Sequence, residues 1–267
     1  MDHLTKLEQQ SIFIFREAYH SFDSVVMPWS MGKDSNVLIW LAKKAFLGRV
    51  PFPLLHIDTT YEFPEMYQFR EWATKFHNVD VKVAINQDAR RRGIGYETHD
   101  PVTVTHELKT LALQQALAEG KWQALITGIR RDEDPTRAKE RYFSPRNKDN
   151  EWNYKDQPPE FWNQFATQVG PGENVRVQPI LDWTELDIWL YIRREGIPIP
   201  SLYFARDGKR YRSLGCWPIT HPIESNASTI DEIIEELRHT KTSERAGRAQ
   251  DHAERNAMQK LRAKGFF

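Results

Sequence analysis

Apolar positions along the chain alternate between helical and strand spacing. Residues 4–19 set Leu4, Leu7, Ile12, Phe15 and Tyr19 roughly on one side of a helix. A short apolar run at 25–29 reads as a strand, after which Val37, Leu38, Leu41 and Ala45 return to helical spacing. Pro51-Phe52-Pro53 breaks the chain, and 54–58 reads as a buried strand. A helix over 64–76, an alternating strand over 79–85, a helix over 105–118 and strands at 124–128 and 175–180 continue the order. Thr184 with Asp187 has the form of a capping box opening a helix through 193. Strands alternating with helices predict an α/β fold whose parallel sheet is covered on both faces. Ligands of such sheets sit at the carboxyl ends of the strands, where residues 30–35, Asp58 and Gly128 all fall.

The first strand-to-helix turn is Ser30-Met31-Gly32-Lys33-Asp34-Ser35. A helix that starts straight from a strand has unpaired N–H groups at its first turn, backed by the helix dipole, and so makes a seat for phosphate. Gly32 lets backbone approach an anion, Lys33 adds a point charge, and Ser30 and Ser35 offer hydroxyls. Asp34 suits such a site if it orients the loop or meets a magnesium ion. The Walker pattern is absent, since its first glycine has no counterpart here. Pro28 lies in the preceding strand, where it has no N–H for a ladder bond, so it is expected at the strand's very end.

Composition narrows the classes. Lys plus Arg and Asp plus Glu both number 37, so no net charge favours nucleic acid or a membrane surface. A mean hydropathy of −0.66 fits a soluble protein, and no apolar stretch is long enough to span a bilayer. One cysteine excludes an internal disulfide, and no secretory signal pattern opens the chain, so a cytoplasmic location is expected. The histidines and the cysteine show no zinc-ligand spacing.

Asp58 ends its strand and reads either as a cap or as a hydrogen-bond acceptor for a nucleotide's ribose or base, while His56 reads as a core histidine. The run from Thr127 to Arg141 is dense in charge. It reads as a solvated, self-paired loop or, because it starts at a strand end, as arginines aimed at a bound nucleotide. Arginine forks match phosphate and sulfate oxygens, and fixed cations are what a transition state gathering charge on phosphorus requires. Arg130 and Arg131 are the candidates, beside Gly128.

Five segments carry a resemblance, in register over most of the chain. They are the S-x-G-K-D-S loop at 30–35, the G-x-R-R-D-E-x-x-x-R-A-K-E-R run at 128–141, Trp183 to Trp189, Leu214-Gly215-Cys216-Trp217-Pro218, and Thr242 to Arg248. Together they resemble the catalytic subunit of heterodimeric bacterial sulfate adenylyltransferase, in the PAPS reductase-like branch of the ATP pyrophosphatase superfamily. The resemblance implies a three-layer, parallel-sheet, adenine nucleotide alpha-hydrolase-like (PP-loop) fold with a C-terminal extension. It implies ATP and sulfate as substrates, magnesium, adenosine 5′-phosphosulfate and pyrophosphate as products, and a GTPase partner subunit. The expected division is a catalytic nucleotide-binding domain over 1–220 and a charged helical tail or lid over 221–267. The expected site joins Lys33, Arg130 and Arg131 as catalytic residues to Ser30, Gly32, Asp34, Ser35, Asp58 and Gly128 for ATP, with Arg245 and Arg248 as lid residues.

The chain departs from that pattern in two places. Where the family carries a longer insertion, only 206–213 remains, with Asp207-Gly208 signalling a hairpin tip, which bears on whether the GTPase is bound. His221 stands where a glycine is usual. Rival readings are a sulfonucleotide reductase using Cys216 as nucleophile and a non-catalytic nucleotide-binding subunit. The first lacks its C-terminal E-C-G-x-H-like motif here. A tRNA-thiolating enzyme is disfavoured by the single cysteine and the balanced charge.

Overall fold

The computed structural model describes residues 1–245. Its centre is a six-stranded sheet of β1 (Val25–Pro28), β2 (Leu54–Ile57), β3 (Val81–Ala84), β4 (Ala124–Ile126), β5 (Phe143–Arg146) and β6 (Asn174–Val177), in the order β3-β2-β1-β4-β6-β5. All neighbours are parallel except β5, which runs antiparallel to β6 at the edge. Sequence periodicity does not reveal β5. Its Phe-Ser-Pro-Arg segment lacks a β-branched run, and Pro145 is tolerated because an edge strand has one unpaired side.

Successive side chains of a strand face opposite sides, and the core divides accordingly. Val25 and Met27 of β1 join Ala124 and Ile126 of β4 in a large core with α1 (His3–Ser21), α2 (Lys33–Ala45) and α7 (Glu185–Glu195). Val26, Leu55, Ile57 and Leu125 point the other way, onto Ala112, Leu113, Ala116 and Leu117 of α6 (Leu111–Gly120). Each such aliphatic, removed from water, contributes roughly 1.5–3 kcal/mol. The result is the three-layer arrangement that the alternating pattern predicts. The Thr184–Asp187 capping box opens α7 as expected. The α3 helix (Pro64–His77) follows β2, with short helices α4 (Gln87–Arg91) and α5 (Pro101–Thr105) after β3. A π turn at His106–Thr110 joins α5 to α6, so the helix expected over 105–118 runs from 101 to 120.

After α7, β7 (Lys209–Arg210) and β8 (Ile223–Glu224) form a small antiparallel pair, and α8 (Ile230–His239) packs Ile233 and Ile234 into the large core. Arg206 bridges Lys209 across Asp207 and Gly208, both with positive φ (52° and 75°), so the expected hairpin tip is a two-residue turn. No helix among the described residues is long and apolar enough to cross a membrane.

The direction of strand order reverses between β1 and β4. Their pairing ends at Val26↔Leu125, and Pro28, the last residue of β1, has no N–H to extend it. On its other side β1 continues, with Trp29 N–H donating to the Leu55 carbonyl at 2.9 Å. The strands therefore part at their carboxyl ends, and this switch point opens the crevice described next.

Candidate active site

The loop from Trp29 to Gly32 is held by its own side chains. Trp29 Nε1 donates to Asn36 Oδ1 at 3.0 Å, and Asn36 Nδ2 donates to the Met31 carbonyl at 2.8 Å. Ser35 Oγ closes the turn on the Gly32 carbonyl at 3.0 Å. Met31 takes a left-handed φ of 62°, a strained conformation for a side chain, maintained by these contacts. Gly32 is the N-cap of α2 and makes no side-chain cap bond. A Cβ there would stand 3.3 Å from Tyr203 Oη and 3.4 Å from Ser30 Oγ, so a side chain would crowd the turn. One expectation changes in detail. The backbone N–H of Lys33 already donates to Tyr203 Oη at 2.9 Å and is not free for an anion.

Lys33 and Arg130 converge at the first turn of α2, and both side chains are fully buried. Arg130 Nε donates to Asp34 Oδ1 at 2.7 Å, and Lys33 Nζ donates to Asp34 Oδ2 at 3.1 Å. The two cations share a second carboxylate, Glu244, whose Oε1 accepts from Lys33 and Oε2 from Arg130. Two cations and two carboxylates thus alternate around a ring closed by residues from α2, the end of β4 and the C-terminal segment. Burial alone would lower the pKa of Lys33, but Asp34 and Glu244 outweigh it and hold the ammonium above the ordinary lysine range. Burial likewise opposes ionisation of Glu244, and Arg130 and Lys33 overcome it, keeping the carboxyl below its ordinary value.

Gly128 begins the stretch after β4. A Cβ on it would lie 3.3 Å from the end of the Leu38 side chain and 3.6 Å from Asp34, so the chain passes close to α2 here with little room for a larger side chain. A second ionic group borders the same crevice. Glu133 accepts from Arg137 and, at 2.9 Å, from Arg245 Nη1. Thr59, Tyr96 and Cys216 also line the crevice. The Cys216 thiol is 3.2 Å from Thr59 Oγ1, and burial raises its pKa.

Two sequence expectations need correction. Arg131 does not join Arg130. It turns outward to pair with Asp182 and donates to the Glu140 carbonyl at 2.8 Å, at the point where the chain leaving β4 enters a turn. Asp58 does not face the crevice either, being a turn cap. Its Oδ1 accepts from Thr60 N–H (2.8 Å) and Tyr67 Oη (2.9 Å), and its Oδ2 from Arg70 (3.2 Å). Thr59, the next residue, supplies the wall instead. Ser30, Gly32, Lys33, Asp34, Ser35, Gly128 and Arg245 all line the crevice. Arg248 lies outside the described residues. His56 is a core histidine, with Nδ1 3.2 Å from the Trp29 carbonyl.

Sequence reasoning missed Glu244, Glu133, Tyr203 and Thr127. The two glutamates stand inside charged runs that were read for their arginines, and their regular pairing with those arginines was the available signal. Thr127 lines the crevice with a buried hydroxyl that meets no partner among the described residues, as a group reserved for a ligand would. Asp34, the residue expected to meet magnesium, gives both oxygens to Arg130 and Lys33. The described residues hold no cluster of three His, Cys, Asp or Glu suited to a metal. These side chains therefore do not fit a metal centre of their own.

Known proteins place this geometry in context. A family profile described as the phosphoadenosine phosphosulfate reductase domain matches residues 24–222. A sulfate adenylyltransferase subunit 2 from Citrifermentans bemidjiense is 43% identical, the alignment covering 100% of this chain and 99% of the relative. One of the same name from Trichlorobacter lovleyi is 44% identical with the same coverage. Both alignments run over 297 positions against the 267 residues here, so the relatives carry sequence with no counterpart in this chain. Among solved structures, the phosphoadenylyl-sulfate reductase of Candida auris in its phosphate complex superposes with a TM-score of 0.55 at 15% identity, covering 84% of this chain and 97% of that one. The FMN adenylyltransferase of Candida glabrata in complex with ATP gives 0.55 at 17% identity, covering 91% and 76%. Likeness at those identities speaks for the fold. From the profile match and the full-length similarity, the chain belongs to the phosphoadenosine phosphosulfate reductase domain family and, within it, to the sulfate adenylyltransferase subunit 2 family.

Proposed function

We propose that the protein transfers the adenylyl group of ATP to sulfate, forming adenosine 5′-phosphosulfate and pyrophosphate, as the name of its relatives states for them. The observation that carries this reading is the convergence of Lys33 and Arg130 at the first turn of α2, beside a locked serine- and glycine-bearing loop. Ser30, Gly32, Lys33 and Ser35 hold the β and γ phosphates. Arg130 neutralises charge on the α-phosphoryl group as a sulfate oxygen attacks phosphorus in line. The bond from the α phosphorus to the bridging oxygen breaks, and the electron pair leaves with pyrophosphate. Sulfate is fully ionised near neutral pH, so the step needs no general base; positioning and charge stabilisation carry it. Thr127, with its unpartnered hydroxyl, is a donor or acceptor for the bound substrate. Magnesium enters with the nucleotide, and no step here is assigned to it.

The subunit designation of the relatives supports a hetero-oligomer; a GTPase as the second chain and the cytoplasm as the setting are part of the proposal and rest on the family resemblance. Residues 1–220 act as the catalytic unit, and the segment from 221 brings Arg245 over it. The reductase alternative is disfavoured by Cys216 itself, because burial raises its pKa when a nucleophilic thiolate requires the opposite. The test is sulfate-dependent pyrophosphate release from ATP, measured with and without a candidate GTPase subunit.

A further inference from the structure

Among the described residues, both cations at the first turn of α2, Lys33 and Arg130, are paired with carboxylates. Asp34 belongs to α2 itself and is fixed there. Glu244 is different. It arrives from 211 residues away in sequence to reach Lys33, on a segment whose described residues beyond α8, 240–245, form no helix or strand. Its two oxygens span the two cations as two oxygens of a phosphate or sulfate would. We infer that Glu244 is an internal stand-in for the substrate's oxyanion, occupying the seat between Lys33 and Arg130 until a polyphosphate displaces it.

This inference rests on the reading of the loop as the phosphate seat and adds a regulatory element to it. A nucleoside triphosphate brings several negative charges, and a second carboxylate left in the ring would repel them at contact distance. Withdrawal of one side chain frees both cations together. Two contacts hold the segment in place. Arg212 clamps Glu185 through three hydrogen bonds of 2.6 to 3.1 Å, and its Nη1 donates to the Thr242 carbonyl at 2.8 Å. Arg245, next to Glu244, pairs with Glu133. Arg212 follows the hairpin tip and Glu185 begins α7, and the Glu185 N–H donates to Asp132, a partner of Arg130, so the latch is fastened at the edge of the ring itself. The same contact gives two buried cations a second shared carboxylate beside Asp34, and buried charge that is incompletely compensated is destabilising.

The test is calorimetric titration of the full chain with inorganic pyrophosphate and, separately, with ATP in the absence of sulfate. Wild type is compared with Glu244→Gln, which keeps the shape and removes the charge, and with Glu244→Asp, which keeps the charge on a shorter arm. The expected result is pyrophosphate binding at least tenfold tighter in Glu244→Gln, with Glu244→Asp between the two. Thermal melts with and without pyrophosphate supply a second reading if the variant is less stable, because the ligand should then raise its melting temperature more than it raises that of wild type. Equal or weaker binding by Glu244→Gln, with wild type still binding, overturns the stand-in role and makes Glu244 a positioning residue, while the loop reading survives. Failure of all three proteins to bind pyrophosphate or ATP overturns the phosphate seat, and the latch with it.

Discussion

Arg130 and Arg131 are neighbours of one type with opposite surroundings, and the difference decides what each does. Arg130 is wholly buried and spreads its guanidinium over Asp34, Asp132 and Glu244. A lysine there has one ammonium and cannot span that set. Arg130→Lys is expected to lower kcat/KM for adenylyl transfer by roughly 10²–10³, the range for loss of one charge-stabilising donor, while ATP binding persists. Arg131→Lys, whose side chain is a third exposed and meets Asp182, should stay within about threefold of wild type, as exposed ion pairs contribute little. Steady-state kinetics of the two variants test the contrast, and equal losses in both would place Arg131 in the site after all. Cys216 provides the complementary case. Cys216→Ser should retain adenylyl transfer, with some loss of stability from placing a hydroxyl where a thiol packs. Abolished turnover with intact ATP binding would restore covalent sulfur chemistry.

At the scale of elements, the site depends on how α2 and α3 lie against the sheet. Trp40 of α2 meets His77 at the end of α3 edge-on at 6.5 Å, and Phe76 does so at 4.9 Å. Neither nitrogen of His77 has a partner among the described residues, and burial lowers its pKa from 6.5 to about 4. The unfolded chain therefore takes up a proton near pH 6.5 and the folded chain only near pH 4. Below pH 6.5 the unfolded state binds more protons, so stability falls as pH drops from 6.5 to 4, by at most about 3 kcal/mol for this residue. Denaturant melts at pH 7 and pH 4.5 should show that loss. His77→Leu should reduce the difference between the two pH values, and an unchanged difference would assign the pH dependence to other groups.

Elements with regular rhythm were legible in the sequence for a physical reason. Helices α1, α2, α3 and α7 bury one face and the central strands β1, β2 and β4 are buried on both, so burial writes itself into the spacing of the helices and the short apolar runs of the strands. The loop was legible because a strand-to-helix turn needs few residues and places them next to each other. β5 was not, since an edge strand beside a long loop needs no apolar alternation, and its start is fixed by Glu160 accepting from the backbone N–H groups of Tyr142 and Phe143. Asp58 was misplaced because a carboxylate at a strand end serves as a turn cap or as a ligand contact equally well, and Tyr67 and Arg70 on the following helix settle the matter only in three dimensions.

The molecule as a whole brings residues from its beginning, middle and end to one buried ionic ring at the edge of the crevice: Lys33 from the first turn of α2, Arg130 from the stretch after β4, and Glu244 from beyond α8. That gathering follows from topology, because β1 and β4 are adjacent and part at Pro28, while α8 packs onto the same core as α2. The contact of Glu244 spans too much sequence for any local pattern to announce it. Adenylyl transfer to sulfate driven from this crevice is the central claim, and one assay addresses it most directly: pyrophosphate release from ATP, with and without sulfate, by the wild-type chain and Lys33→Ala in the presence of a candidate GTPase subunit. Sulfate-dependent release by wild type, lowered by roughly two orders of magnitude or more in Lys33→Ala, is the predicted result. Release that is independent of sulfate, or unchanged in Lys33→Ala, contradicts it.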